Sequence, residues 1–155
     1  MDTEKDWVGD LILLRGLPGS GKSTIATKLL KTYKSAHHID GDKLRELFVN
    51  KDYSREGRIK NLNRASDIAA YLNSLGEDVI ISMVYPYKEA RDYLNSLIKN
   101  VNWVHLTYIE DRGKSSYYVE DFDIPYKESI LELNTSNLTI DESINEIGVY
   151  MYIYK

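Results

Sequence analysis

Five short apolar runs punctuate this chain, and between them apolar residues recur at spacings of three and four. The runs are Asp10 to Leu14, Ala36 to Ile39, Asp78 to Ser82, Trp103 to Tyr108 and Ile130 to Leu133. They barely alternate, as strands covered on both faces would not. After the first run, Ile25, Ala26, Leu29 and Leu30 predict a helix to about Tyr33. A second helix starts near Lys43, with Leu44, Leu47 and Phe48 apolar. Ser54 is an N-cap for a long helix to about Leu75, carried by Ile59, Leu62, Ala65, Ala69 and Leu72 and closed by Gly76. Tyr87 to Lys99 is helical, with Ala90, Leu94, Leu97 and Ile98 inward. Thr139-Ile140-Asp141-Glu142 is a capping box for a last helix, expected to stop near Gly148. Beyond it, Val149 to Tyr154 suits either a strand or more helix. Residues 1–9 form a lead-in of no clear period, and 111–126 read as a loop or lid.

Strands alternating with helices imply an α/β fold: one domain, residues 1–155, with a mostly parallel five-stranded sheet and helices on both faces. Ligands of such sheets bind beyond the carboxyl ends of the strands. The segments after the first three strands should therefore converge on one cleft.

The first of those segments carries the clearest chemistry. Gly16-Leu17-Pro18-Gly19-Ser20-Gly21-Lys22-Ser23-Thr24 fits G-x-x-x-x-G-K-[ST], the phosphate-binding loop of nucleotide triphosphatases and kinases. Its glycines let backbone N–H groups turn inward as an anion nest, and the following helix adds its positive end. Gly16, Gly19, Ser20, Gly21, Lys22, Ser23 and Thr24 are thus expected on ATP, with Lys22 along the β- and γ-phosphates and Ser23 on Mg²⁺. After the second strand come Asp40-Gly41-Asp42 and Arg45. Two carboxylates facing a triphosphate could hold Mg²⁺ or orient a hydroxyl acceptor. Acids also collect at helix N-termini for dipole reasons alone, and for Asp40 both readings stay open. Arg58, Asn61 and Arg64 share one helix face, either an anion-binding face or a solvated one. Arg112, Gly113 and Lys114 are lid charges or a charged loop. His37, His38 and His105 lack metal-ligand spacing and are read as structural.

Composition adds exclusions. A net charge of −4 gives no basic footprint for sequence-blind nucleic-acid binding. The absence of cysteine removes disulfides and thiolate metal sites. The acidic, polar N-terminus is not a signal peptide, and no apolar run reaches membrane-spanning length. A cytoplasmic protein with no membrane partner is expected.

With these segments in hand, the chain resembles the adenylylsulfate kinases, which phosphorylate the 3′-hydroxyl of adenosine 5′-phosphosulfate (APS) with ATP. Gly16 to Thr24 looks like that family's loop. Ile39 to Arg45 is similar to its D-G-D-x-hydrophobic-R motif. Tyr53-Ser54, Arg58, Asn61 and Arg64 resemble its F-S-x-x-x-R-x-x-N-x-x-R segment. Ser82, Pro86, Tyr87 and Arg91 resemble S-x-x-x-P-[FY]-x-x-x-R. Lys114 to Tyr117 looks like the lid motif K-G-L-Y, and Pro125 and Leu133-Asn134-Thr135 match a late proline and L-D-T. The resemblance implies a three-layer P-loop kinase fold with a short lid. It implies Asp42 as base or hydroxyl-orienting residue, and a Mg²⁺ site from Ser23 and Asp42. It implies an acceptor site of Asp40, Asp42, Arg45, Tyr53 stacked on adenine, Arg58, Asn61, Ser82, Pro86, Lys114 and Tyr117, with Lys114 or Arg112 over the ATP phosphates. By analogy the protein is a homodimer. The chain departs from the family in three places. The lid before Pro125 is about a dozen residues shorter, removing an aromatic clamp for which Tyr118 or Phe122 is a candidate replacement. Tyr85 stands where many members have serine, and Asn134 replaces the acid of L-D-T. Two alternatives remain: a related P-loop kinase acting on another nucleotide or a polynucleotide 5′-hydroxyl, and a nucleotide-binding regulatory protein without turnover.

Overall fold

The computed structural model describes residues 9–16, 20–33, 35–107 and 130–153. Strand β1 (Leu11–Arg15) leads through the phosphate loop to helix α1 (Lys22–Thr32). Strand β2 (His37–Asp40) runs directly into α2 (Gly41–Phe48), followed by α3 (Arg55–Ser74), β3 (Val79–Ser82) and α4 (Lys88–Leu97). Strand β4 (Val101–Thr107), β5 (Ile130–Asn134) and α5 (Ile140–Ile153) complete the order. The expected lid at 111–126 and most of the lead-in at 1–9 lie outside the described residues.

The sheet has the order β2-β3-β1-β4-β5 and every pairing is parallel. The expectation of a mostly parallel sheet thus resolves to an entirely parallel one. Leu14, Ser82 and Asp40 are register partners across β1, β3 and β2, so three strand ends finish level at one edge. All five residues of β1 are buried, which explains its unbroken apolar run.

A separate core lies on each face. On one, Leu11, Leu13, Val79 and Ile81 pack with Leu44, Leu62, Ala65, Ala69, Ala90 and Leu94 of α2, α3 and α4. On the other, Ile12, Leu14, Ile80, Val104 and Leu106 pack with Ile25, Ala26, Leu29, Ile147 and Met151 of α1 and α5. Each fully buried aliphatic side chain contributes about 1.5–3 kcal/mol, and the pair of cores holds β1 rigidly between two layers. The loop that follows β1 therefore starts from a strand buried on both faces. Among the described residues, no helix is long and apolar enough to cross a membrane.

Local signals set most boundaries. Ser54 caps α3 by accepting from the Gly57 N–H at 3.2 Å. Gly76, at φ 84, follows the helix as the expected left-handed residue. Thr139 and Glu142 bond reciprocally, Glu142 Oε1 accepting from the Thr139 N–H at 2.9 Å and Thr139 Oγ1 from the Glu142 N–H at 3.0 Å. The expected stop at Gly148 does not occur, since α5 runs on to Ile153. Ile144, Ile147, Tyr150 and Met151 carry one apolar stripe through the glycine onto the core. Burial of that stripe outweighs the roughly 1 kcal/mol helix penalty of one glycine.

Candidate active site

The chemistry gathers where β1, β2 and β3 end. Gly21 caps α1 at φ 97, a backbone conformation that side-chain-bearing residues rarely adopt. A Cβ on Gly16 would lie 2.5 Å from the Leu106 carbonyl oxygen and 2.7 Å from Ser20 Oγ, so the loop passes too close to β4 for any other residue. Ser20 is fully buried. Its carbonyl accepts from Thr135 Oγ1 at 2.9 Å, and the same hydroxyl lies 3.0 Å from the Thr107 carbonyl. Thr135 thereby ties the end of β5 to the loop. Gly19, with Leu17 and Pro18, lies outside the described residues. Ser23 and Thr24 are exposed on the first turn of α1, facing the side from which a ligand approaches.

Asp40 is the hub of the cleft. Its Oδ2 accepts from the Lys43 N–H at 3.2 Å and caps α2. Its Oδ1 accepts from Ser23 Oγ at 3.2 Å and from Ser82 Oγ at 3.4 Å. The helix-capping and site readings of Asp40 both hold, one on each oxygen. Asp42 sits in the first turn of α2 and is exposed. Burial pushes the Lys22 ammonium down to about 8, against the opposing pull of the Asp42 and Asp40 carboxylates. Lys22, Asp40 and Asp42 are therefore within electrostatic reach of one another.

Ser23 Oγ and Asp40 Oδ1 form an all-oxygen pair that suits a hard cation with a large share of its own water or phosphate ligands. Among the described residues no group of three or more His, Asp or Glu could cage a metal. A cation here fits as a companion of bound phosphates. The carboxylate touching Ser23 is that of Asp40, whereas sequence reasoning had paired Ser23 with Asp42.

The acceptor side is built from α2, the turn after it and α3. Arg45 Nη1 donates to the Asn50 carbonyl at 3.1 Å, Asn50 Oδ1 at 3.3 Å and the Asp52 carbonyl at 3.1 Å. Its guanidinium lies 4.0 Å from the Tyr53 ring centroid. This arginine is engaged in shaping the turn. Arg58 donates from Nε to the Tyr53 carbonyl at 2.8 Å, with its guanidinium 5.9 Å from the same ring. Tyr53 keeps 60% of its surface exposed, leaving room for a planar ligand. Asn61 is 3% exposed and its Oδ1 has no hydrogen-bond partner among the described residues. A buried carbonyl oxygen without a donor is costly unless a ligand supplies one. Arg64 turns aside to lie 4.4 Å over the Phe48 ring, which separates it from Arg58 and Asn61. Pro86 is buried, followed by Tyr87 under the Arg55 guanidinium at 4.7 Å. Arg112, Lys114, Tyr117, Tyr118, Phe122 and Pro125 lie outside the described residues.

Two polar strand residues lie close to these strand ends. His38 lies on the same face of β2 as Asp40, and its Nε2 is 2.7 Å from Ser82 Oγ. It had been read as structural because no metal spacing involves it; only the pairing of β2 with β3 brings it to Ser82. Burial lowers its pKa, opposed by Asp40 and assisted by Lys43. Arg15 is fully buried at the end of β1 and is the register partner of His105. An arginine ending an apolar strand immediately before the phosphate loop was the available signal.

Comparison with known proteins follows this geometry. A family model described as adenylylsulphate kinase matches residues 8–114. An adenylyl-sulfate kinase of Oceanobacillus iheyensis is 28% identical over 160 residues, covering 88% of this chain and 80% of that protein. A cytidine diphosphoramidate kinase of Campylobacter jejuni is 36% identical over 100 residues, covering 62% of this chain and 59% of that protein. The chain thus matches about three fifths of the length of the latter relative. In structure, the APS kinase of Mycobacterium tuberculosis in complex with AMPPNP and APS superimposes with a TM-score of 0.81 at 23% identity, covering 94% of this chain and 98% of that one. At that identity the likeness speaks for the fold.

Proposed function

Given that the chain belongs to the adenylylsulphate kinase family of P-loop kinases, we propose that it transfers the γ-phosphoryl group of ATP to the 3′-hydroxyl of APS, yielding 3′-phosphoadenosine 5′-phosphosulfate and ADP. One observation carries this reading. Lys22, Ser23, Asp40 and Asp42 meet at the carboxyl edge of the sheet, within the stretch matched by the family model.

The proposed roles follow from the chemistry. Lys22 is the point charge along the transferred phosphate, and its desolvated ammonium interacts more strongly with an anion than a hydrated one does. Asp42 orients and deprotonates the acceptor hydroxyl. Arg58 and Asn61 hold the anionic end and a polar group of the acceptor, and Tyr53 offers its exposed ring to the base. Ser23 and Asp40 would hold Mg²⁺, which supplies charge neutralisation at the β- and γ-phosphates when bound with ATP. A homodimer belongs to the same proposal and rests on family analogy alone.

A second reading is favoured by the Campylobacter relative. The acceptor would be a cytidine-linked diphosphate analogue, with the same phosphoryl donor and the same Asp42. Both acceptors pair a nucleoside with a charged anhydride, so Arg58 suits either.

The test is ADP release with Mg²⁺–ATP and no acceptor, APS or cytidine diphosphoramidate, for the native protein and for Asp42→Ala. APS-dependent turnover that falls about 10²–10⁴-fold in Asp42→Ala is expected. Turnover with APS no higher than background sinks the first reading, and cytidine-dependent turnover in its place establishes the second.

A further inference from the structure

A hydrogen-bonded chain of four side chains crosses the sheet edge: His38 Nε2 to Ser82 Oγ at 2.7 Å, Ser82 Oγ to Asp40 Oδ1 at 3.4 Å, and Ser23 Oγ to Asp40 Oδ1 at 3.2 Å. We propose that His38 is a positioning residue for the nucleotide half of the site: acting through Ser82, it fixes the Asp40 carboxylate and so the Ser23 hydroxyl in the orientation a phosphate-bound divalent cation requires.

The proton inventory gives the chain a direction. Asp40 caps α2 through Oδ2 and is left with Oδ1 for both hydroxyls. Ser82 owns a single O–H, which is used on Oδ1. In the tautomer that carries its proton on Nε2, His38 then donates to the Ser82 oxygen. The imidazole thus holds the serine rotor, which would otherwise turn among its staggered positions. A serine held so that its proton faces Asp40 restricts that carboxylate from two sides. Ser23 in turn points its proton at Oδ1 and keeps its lone pairs outward.

The backbone explains why His38 can reach. His38 and Asp40 are two apart on β2 and therefore share a face. Asp40 is the register partner of Ser82, and His38 that of Ile80. The contact is a diagonal one across the β2–β3 pair, within range of an aromatic ring. Ile80 belongs to the core under α1, the helix that presents Ser23. Strand and helix are packed together, so the distance is a property of the layer.

The inference concerns the phosphate side and holds for either acceptor, so its test uses none. Binding of AMPPNP is measured by calorimetry with and without Mg²⁺ for the native protein, His38→Leu, His38→Gln and Ser82→Ala. Mg²⁺ should tighten binding to the native protein. In His38→Leu and Ser82→Ala that Mg²⁺-dependent gain should shrink about tenfold, as for other groups that orient a metal ligand. The readout is the ratio of the two affinities, so a change common to both conditions does not count. His38→Gln retains an N–H donor and should recover most of the gain. If His38→Leu fails to fold, Ser82→Ala breaks the same chain and decides alone. A native-size Mg²⁺ gain in His38→Leu or Ser82→Ala, a His38→Gln no better than His38→Leu, or a native protein whose AMPPNP affinity ignores Mg²⁺ would each overturn the proposal.

Discussion

His105 makes the stability of this fold sensitive to mild acid. The ring lies on β4 between the register neighbours Arg15 on β1 and Glu132 on β5. Desolvation comes first, then the positive charges of Arg15 and of Arg91 on α4, and together they push the imidazole down to about 4 from an ordinary 6.5. Arg91 is itself buried, with Nη1 donating to the Tyr85 carbonyl at 3.0 Å, so it cannot swing away to relieve the repulsion. The native state thus resists a proton that the unfolded chain accepts at 6.5. Stability is full above pH 6.5 and is lost as pH falls from 6.5 to 4. The linkage relation sets a ceiling of about 2 kcal/mol on the loss between pH 7.5 and pH 5, lowered by solvent screening because the ring is only partly buried. His105→Gln keeps a polar, similar-sized side chain but removes the titration. Urea unfolding of both proteins at pH 7.5 and pH 5 isolates the effect, because carboxylates elsewhere contribute equally and cancel in the difference. The native protein should lose about 1–2 kcal/mol more than the variant, or roughly 2–8 °C in Tm. Parallel losses in the two proteins would show that His105 takes up its proton as readily in the native state as in the unfolded chain, and the burial and repulsion by Arg15 and Arg91 would have no thermodynamic weight.

Two stability predictions concern backbone conformation. Gly148 lies inside α5 on its exposed face, and a Cβ there meets nothing within 4 Å, so Gly148→Ala should stabilise by about 0.5–1 kcal/mol; a melting temperature at or below native would contradict this. Val49 closes α2 in the left-handed region at φ 51 and ψ 44 while 74% exposed. There Val49→Gly relieves about 1–2 kcal/mol of strain, offset in part by the glycine's greater freedom when unfolded. A net gain of about 0.5–1 kcal/mol by denaturant titration is expected, and a loss would mean that the Val49 side chain packs in solution.

The layered fold was readable because its signals are local. Apolar runs, the Ser54 cap, Gly76 and the Thr139–Glu142 box each act within a few residues, and the structure respects them. Gly148 misled because a glycine reads as a stop only where no apolar stripe continues past it, and Ile147 and Met151 continue it. The site was readable as a list of segments but not as a geometry. That Asp40 serves α2 and Ser23 with different oxygens follows from the register of β2 against β3, as does the role argued for His38. Arg45 shows the same limit. Its place in a motif suggested an anion ligand, yet its Nη1 is engaged by the turn that its own helix leads into.

The departures from the family bear unequally on acceptor choice. Tyr85 is fully buried, with its hydroxyl 3.1 Å from Ser66 Oγ and donating to the Leu62 carbonyl, and its ring edge-on to Trp103. It fills the core between α3 and β4, so its replacement of serine does not redraw a binding surface. Asn134 Oδ1 accepts from the Ser136 N–H at 2.9 Å. An aspartate would accept the same bond, so this exchange leaves the turn, and with it Thr135 beneath the phosphate loop, where the family chemistry needs it. Neither residue makes a contact in the phosphate cleft among the described residues. If the proposed roles hold, discrimination between a sulfated adenosine and a cytidine-linked acceptor would fall, among the described residues, to Tyr53, Arg58 and Asn61. Of these, Tyr53 stacks on any base and Arg58 pairs with any anion. Of the three, Asn61, whose buried Oδ1 has no partner among the described residues, is the one whose satisfaction would depend on where an acceptor places a donor.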